Sequence, residues 1–450
     1  MTGMETVFLD DPWWIVLIKV VGIFVLLLTW TIFNVWFERR VLGKMQNRKG
    51  PIMNGPLGLG QALGDGVKLL LKEDFRPART DAVVFSLAPM LTGVAAFASW
   101  AVIPLGGPVR MFGVETRLQL TDLPVAALVV MAIAGVGFYG FVLAGWSSNG
   151  TYSLLGSMRA TAQVISYEIA MGLSLVAVFM YAGTMSTSQI VAAQQEPINL
   201  FGFTIPLPSW YGLLLLPSFV IYYISMFGET NRQPFDMPEC ESELVSGHIT
   251  DFSGFRYALF FLAEYINVAT VSAVCVTLFL GGYHAPWPLA GTFVDQGWFG
   301  LLWFVLKVQI MFFTVSWVRA AVPRVRYDQM MKLGWKVLIP ANLAWIVLLA
   351  LVRGASVHGW WANPIFIGTL IVFIAAVVAV IWMSGPEPEP EPEIADEDAE
   401  FDAFAGGYPV PPMPGQKLIN KVVTSTGTEE PVGAASGSAR RSSTSNGAEL

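Results

Sequence analysis

Cysteine, histidine and charge are all scarce in this sequence: it has two cysteines and three histidines, and Asp, Glu, Lys and Arg make up only 13% of 450 residues. Cys240 lies in a polar stretch and Cys275 inside an apolar run, so neither a disulfide framework nor a cysteine metal site is supported, and both read as small packing residues. His248, His284 and His358 are scattered, which argues against a histidine metal centre. So little charge beside 54% hydrophobic residues excludes an ordinary soluble domain. The first apolar run has no basic stretch before it. Asp10 and Asp11 precede Trp13 and Trp14, and the run continues to Phe37, too long for a signal-peptide core, so it reads as a retained first helix.

What the chain has instead is apolar runs of membrane-spanning length, near 13–37, 83–103, 122–146, 161–183, 209–228, 253–281, 298–322, 337–352 and 364–383. The predicted class is an all-α polytopic membrane protein of about nine spans, forming a membrane domain over 1–384. The net charge of −7 comes from the end of the chain, because residues 385–450 carry twelve acids and four bases. This acidic, Pro-rich and then Ser/Gly-rich segment lacks apolar periodicity and is expected to be a disordered tail. The rest is close to neutral, so no nucleic-acid partner is indicated. Basic residues crowd the loops after spans 1, 3, 5 and 7, among them Arg39, Arg40, Lys44, Arg159, Arg232, Arg319, Arg324 and Arg326. The opposite loops hold Arg110, Arg117 and Arg353. By the positive-inside rule the N-terminus is outside and the C-terminus inside.

One loop resists a packing explanation. ETNRQPFDMPECESELVSGHITDFSGFRY, residues 229–257, sets Glu229, Asp236, Glu239, Glu241 and Glu243 around Arg232. Crowded carboxylates hinder one another's ionisation and titrate as a set, while a guanidinium works the other way. If a helix restarts at Pro238, Glu239 and Glu243 share one face, which suits a cavity wall or proton relay. The competing reading is a solvated acidic loop. Against it stand Phe227, Phe235, Leu244 and Val245, whose apolar bulk implies partial burial.

Three ionisable residues fall inside predicted spans: Glu168, Glu264 and Lys307. Charge at membrane depth usually faces protein or water and is paired, so all three are functional candidates. Lys19 lies near the outer interface and could snorkel. Gly135, Gly137 and Gly140 in span 3 read as helix-packing residues. GPLGLGQALGDGVKLLLKEDF after span 1 places Leu59, Leu63, Val67, Leu70 and Leu71 at near-helical spacing, which predicts an amphipathic helix lying in the membrane interface. Asp65 stands beside that apolar face. Its glycines are no dinucleotide fingerprint, since no strand precedes them.

Four stretches together carry a resemblance: ERRVLGKMQNRKGPIMNGPLGLGQALGDGVKLLLKED, AGWSSNGTYSLLGSMRATAQVISYEI, GETNRQPFDMPECESELVSGH and RAAVPRVRYDQMMKLGWK. In order and spacing they resemble the quinone-site membrane subunit of respiratory complex I, a family found in bacteria and in mitochondria. The resemblance implies a multi-pass subunit of the bacterial plasma membrane that binds no cofactor of its own. FMN and iron–sulfur clusters would reside in partner subunits, and quinone would be the substrate. The implied partners are peripheral-arm iron–sulfur and quinone-site subunits, antiporter-like membrane-arm subunits and the lipid bilayer. By the same resemblance, Arg39, Arg40, Asp65, Arg232 and Phe235 border the quinone chamber or its entrance. Proton coupling would fall to Glu229, Asp236, Glu239, Glu241, Glu243, Asp251, Glu168, Glu264 and Lys307. Arg319, Arg324 and Arg326 would contact the peripheral arm or pair with the acids. Asp251 departs from the family pattern, which has glutamate there, and the acidic tail is not part of the common core.

The expected function is therefore coupling of quinone reduction to proton translocation, as one subunit of a larger oxidoreductase and not as a catalyst alone. Two alternatives stay open: the equivalent subunit of a membrane-bound energy-converting hydrogenase, and a secondary transporter. The latter calls for paired, symmetric broken helices, which the sequence does not display.

Overall fold

The computed structural model describes residues 11–200, 203–238, 241–287 and 289–358, with 400–401, 417–418, 421–423 and 429–431 beyond them. The chain divides into two compact units, 1–370 and 371–450. In the second, the described segments are short strands, β5 (Glu400–Phe401) paired with β6 (Lys417–Leu418), and β7 (Lys421–Val423) paired with β8 (Glu429–Pro431). The run near 364–383, expected as a ninth span, lies outside the described residues.

The first unit is a helical bundle, and among the described residues seven helical segments are long and apolar enough to cross a membrane. They comprise α1 (Trp13–Met45), α3 (Ala82–Ala98) with the single turn after it, α4 (Ala126–Ser147), α5 (Thr151–Ala182), α10 (Gly254–Phe279) and α11 (Phe299–Ala321). The seventh, residues 327–355, joins α12 (Tyr327–Lys332) to α13 (Ile339–His358) through a π-helical turn over Leu333–Leu338. The eighth apolar run, expected over 337–352, is thus the later part of a longer helix. The run at 209–228 is broken into α7 (Tyr211–Leu214) and α8 (Leu216–Glu229). Pro217 explains the break: in the first turn of α8 its missing N–H costs nothing, whereas a helix continuing through it would lose a hydrogen bond.

Small residues set a close contact between α3 and α4. A Cβ on Gly137 would stand 2.9 Å from the Ala95 Cβ, and one on Gly140 would stand 2.7 Å from the Ala88 carbonyl oxygen, so α4 lies directly on α3. Thr92 Oγ1 donates to the Gly137 carbonyl across this seam at 3.3 Å. Glycine at these positions trades side-chain burial for close backbone approach, the usual bargain in lipid.

Two short hairpins stand in the loops of this helical unit. β1 (Gly106–Met111) pairs with β2 (Val114–Leu118), and β3 (Pro197–Leu200) with β4 (Phe203–Pro208). Phe112 and Gly113, both at positive φ (47° and 90°), close the first as a two-residue turn whose twist matches paired strands. α6 (Thr187–Ala193), capped by Ser186, lies between the hairpins in sequence. Lys19, expected to snorkel, turns inward instead: it is buried, pairs with Asp11 at 2.5 Å and donates to the Gln119 carbonyl.

The interfacial helix α2 (Gly60–Leu71) packs against α1 and α10. Gly58, at φ +82°, turns the chain into it, and a side chain there would run into the Pro51 carbonyl at 2.5 Å. Leu63, Val67, Leu70 and Leu71 stay exposed, an apolar stripe fit for lipid contact.

Candidate functional site

The acidic loop starts where α8 ends and is held from two sides, by α5 and by the segment after α11. Gln163 on α5 donates to the carbonyls of Gly228 (2.8 Å) and Phe235 (2.6 Å). Phe235 is buried with its ring centroid 5.2 Å from that of Tyr167, and Val325 N–H donates to the Pro234 carbonyl. These contacts turn Arg232 inward.

The result is a buried ionic cluster drawn from four parts of the chain. Glu38 on α1, 3% exposed, accepts from Arg319 of α11, from Arg232 Nη1 at 3.3 Å and from the Tyr265 hydroxyl of α10 at 2.8 Å. Arg232 Nε reaches Glu264 at 3.1 Å, and its guanidinium lies 4.5 Å from the centre of the Tyr265 ring. Two carboxylates thus face two guanidinium groups, the balance that makes buried charge tolerable. Asp236 stands within electrostatic reach of Glu264. Glu38 was not singled out in the sequence, although its place at the end of the apolar run of span 1, beside Arg39 and Arg40, was the available signal.

Farther along the loop, α9 (Glu241–Leu244) is a single turn. Glu243 pairs with Arg159 of α5 at 2.5 Å and with Arg324 at 3.5 Å. Arg326 is exposed at the start of α12. Glu239, Cys240 and the Glu241 side chain lie outside the described residues, so the shared face proposed for Glu239 and Glu243 falls there too. Asp251 accepts from Ser153 Oγ at 3.1 Å in the first turn of α5, a contact made from 98 residues away. Ser253 ties the same loop to the segment after α2, receiving the Phe75 N–H at 3.1 Å and donating to the Glu73 carbonyl at 3.2 Å.

Glu229 and Glu168 form a separate pair within electrostatic reach of each other. Glu168 fits against α4 because Gly135 leaves it room: a Cβ there would lie 3.3 Å from its Oε1. Lys307 is not brought to these acids. It lies twelve residues before Arg319 on α11, about 18 Å along the helix axis. Its ammonium donates to the carbonyls of Leu280, Gly282 and His284 at 2.6, 3.0 and 2.7 Å, so it holds the turn that follows α10.

Three cavities adjoin these groups. The largest of the three, about 340 Å³, lies between α1, α2 and α10, with Val35, Ala62, Leu63, Gly66, Phe255 and Leu262 among its mostly apolar walls. Arg39 and Asp65, paired at 2.7 Å, are its charged lining, while Arg40 turns away to the Leu57 carbonyl at 3.0 Å. That size lies within the range of small-molecule sites. Phe261 borders this space and also a cavity of about 30 Å³ beside Glu264, and it packs 4.9 Å from Tyr265. Another cavity of about 30 Å³ touches Glu229, Asn267, Thr270 and Ser99. Each of the small spaces is large enough for a water molecule.

A family model for NADH dehydrogenase matches residues 18–350. The chain belongs to the NADH dehydrogenase family. This family member is 60% identical to the H subunit of the NADH-quinone oxidoreductase of Cutibacterium acnes, over 90% of this chain and 92% of that relative. It is 48% identical to the Streptomyces avermitilis protein of the same name, over 91% of this chain and 89% of that one. The family is the one that the four loop stretches resemble.

His248, in the single turn after α9, adds a pH-dependent element to this NADH dehydrogenase family bundle. Burial among Phe141 and Phe260 pushes its pKa down to about 4, so the folded chain holds it neutral. The unfolded chain, with an ordinary value near 6.5, binds more protons between the two values. This contribution to stability is therefore complete above about pH 6.5 and is lost as pH falls toward about 4. A His248→Phe variant is expected to flatten that part of the melting-temperature profile of the solubilised assembly. An unchanged profile would remove His248 from the account.

Proposed function

We propose that this chain is the membrane subunit of a proton-pumping NADH:quinone oxidoreductase that forms part of the quinone chamber and couples quinone reduction to proton translocation. The observation that carries this reading is the 340 Å³ apolar cavity lined by the Arg39–Asp65 pair: Arg39 directly follows Glu38 of the ionic cluster, and Phe261 separates the cavity from the small space beside Glu264. An apolar ring with a long tail suits such walls. Reduction of a quinone takes up two protons and transiently places negative charge nearby. In a cluster with balanced buried charge, one added charge shifts the protonation of its neighbours, and the set responds as a unit.

In this reading Asp236, Glu239, Glu241, Glu243 and Asp251 line or support the chamber side, and Glu229 and Glu168 continue the path into the bundle. Arg324 holds the loop through Glu243, and Arg326 is left for a peripheral-arm partner. Lys307 anchors the turn after α10 at the far end. FMN and iron–sulfur clusters belong to partner subunits, quinone is the substrate, and the acidic loop faces the cytoplasm with the N-terminus outside the plasma membrane. The tail from 385 is a cytoplasmic addition. The relatives' names favour the quinone enzyme over the hydrogenase and transporter alternatives.

The test is to tag the chain, extract it in mild detergent and assay what co-purifies. Inhibitor-sensitive NADH oxidation with added quinone is expected. Hydrogen evolution, or a lone polypeptide with neither activity, would overturn the assignment.

A further inference from the structure

Beside Glu264 lie two polar atoms that the coupling role leaves unused. His248 is 4% exposed, and among the described residues its Nδ1 has no hydrogen-bond partner and the buried Oδ1 of Asn231 has none either. Asn231 is held at φ 51°, directly before Arg232 at the head of the acidic loop. Both residues line the 30 Å³ cavity, together with Phe141, Tyr257, Phe260 and Glu264. A buried acceptor without a donor is costly, and such groups in folded proteins are usually satisfied by an ordered water.

The chemistry of the three polar groups matches one water molecule. A neutral imidazole with a bare Nδ1 accepts one hydrogen bond, and so does the carboxamide oxygen of Asn231. A water offers two O–H donors and retains lone pairs for the Glu264 carboxyl once a coupling proton has neutralised it; at rest that group is the carboxylate paired with Arg232. The volume suffices, since one water needs about 10–15 Å³ of such space. We propose that His248, Asn231 and Glu264 form a water site, and that His248 Nδ1 accepts protons from Glu264 through that water. In the step, the Glu264 O–H bond breaks toward the water as one water O–H proton passes to Nδ1. An Nδ1–H bond forms, the water is restored, and the carboxyl becomes a carboxylate. Burial keeps the ring neutral at rest, so its charged form is short-lived. Among the described residues the titratable groups that share the cavity with His248 are Glu264 and Tyr257, both on α10, with Arg232 and Asp236 in reach of Glu264; the α4 and α5 residues against His248, Phe141 and Gly156, bring none.

This inference rests on the coupling role proposed above, and the experiment separates the two. The assembled complex is reconstituted in sealed vesicles with His248→Phe, which suits the aromatic surroundings, with His248→Gln, which keeps a polar group but cannot take a proton, and with Glu264→Gln. Both His248 variants are expected to lower coupled NADH:quinone turnover about tenfold and to raise its solvent deuterium isotope effect, because proton transfer becomes limiting. Wild-type turnover in either His248 variant, or a lowered turnover with an unchanged isotope effect, overturns the proposal. If Glu264→Gln is impaired and the His248 variants are not, the water site alone falls. If all three turn over at the wild-type rate, the coupling role falls with it.

Discussion

Replacing Glu38 with alanine is expected to lower quinone reduction by the assembled complex at least about 100-fold. The carboxylate is 3% exposed and is the shared acceptor for Arg232, Arg319 and Tyr265. Without it two guanidinium groups are left with Glu264 as the remaining carboxylate of the cluster, in surroundings where an uncompensated charge costs about 3–5 kcal/mol. Arg232 would be released from one of its two anchors, and the acidic loop that begins there would lose its fixed position. Glu38→Gln retains the shape and one acceptor oxygen, so it should fall between wild type and Glu38→Ala. Inhibitor-sensitive NADH:quinone activity of the purified complex measures this, with a native gel to confirm that the subunits remain assembled. Full activity in an assembled Glu38→Ala complex would show that the cluster is dispensable.

Glu38 also illustrates what was hidden in the sequence. Charges in the middle of long apolar runs are conspicuous, and Glu168, Glu264 and Lys307 were visible for that reason. Glu38 closes an apolar run next to two arginines, so it looks like the usual polar end of a span. Only the crossing of α1, α10 and α11 shows that it points inward. Lys307 presents the opposite case. Its depth in a span was legible, but its partners are backbone carbonyls in the turn that follows α10, which carry no sequence signal. The break at Pro217 was present as turn chemistry, masked by apolar neighbours that satisfy a span just as well, whereas the Phe112–Gly113 hairpin lies in a loop between spans where strand pairing leaves a weaker signal. Asp251 could be noticed as a departure from a pattern, yet its contact with Ser153 spans 98 residues and depends on the fold.

The interfacial helix was legible in more detail, because its stripe of leucines and its flanking charges both follow from lying flat on a membrane. Its apolar face does not announce a cavity, and the glycines of the same helix now give that cavity a sharp test. Gly66 lines the 340 Å³ space and a Cβ built on it meets nothing within 4 Å, so Gly66→Trp directs an indole into the cavity without a backbone clash. Removing a glycine from within a helix also favours the helix by a few tenths of a kcal/mol to about 1 kcal/mol, so misfolding is not the expected outcome. Gly64 is two residues away on the same helix, equally open, and does not border the cavity. Gly64→Trp is therefore the control for bulk at the membrane surface. Gly66→Trp is expected to raise the KM for a long-tailed quinone about tenfold or more, with a smaller effect on a short-tailed analogue that fills less of the space. Gly64→Trp should leave both near wild type. Equal effects of the two substitutions would assign the loss to membrane association of α2, and no effect from Gly66→Trp would place the quinone's path elsewhere in the bundle.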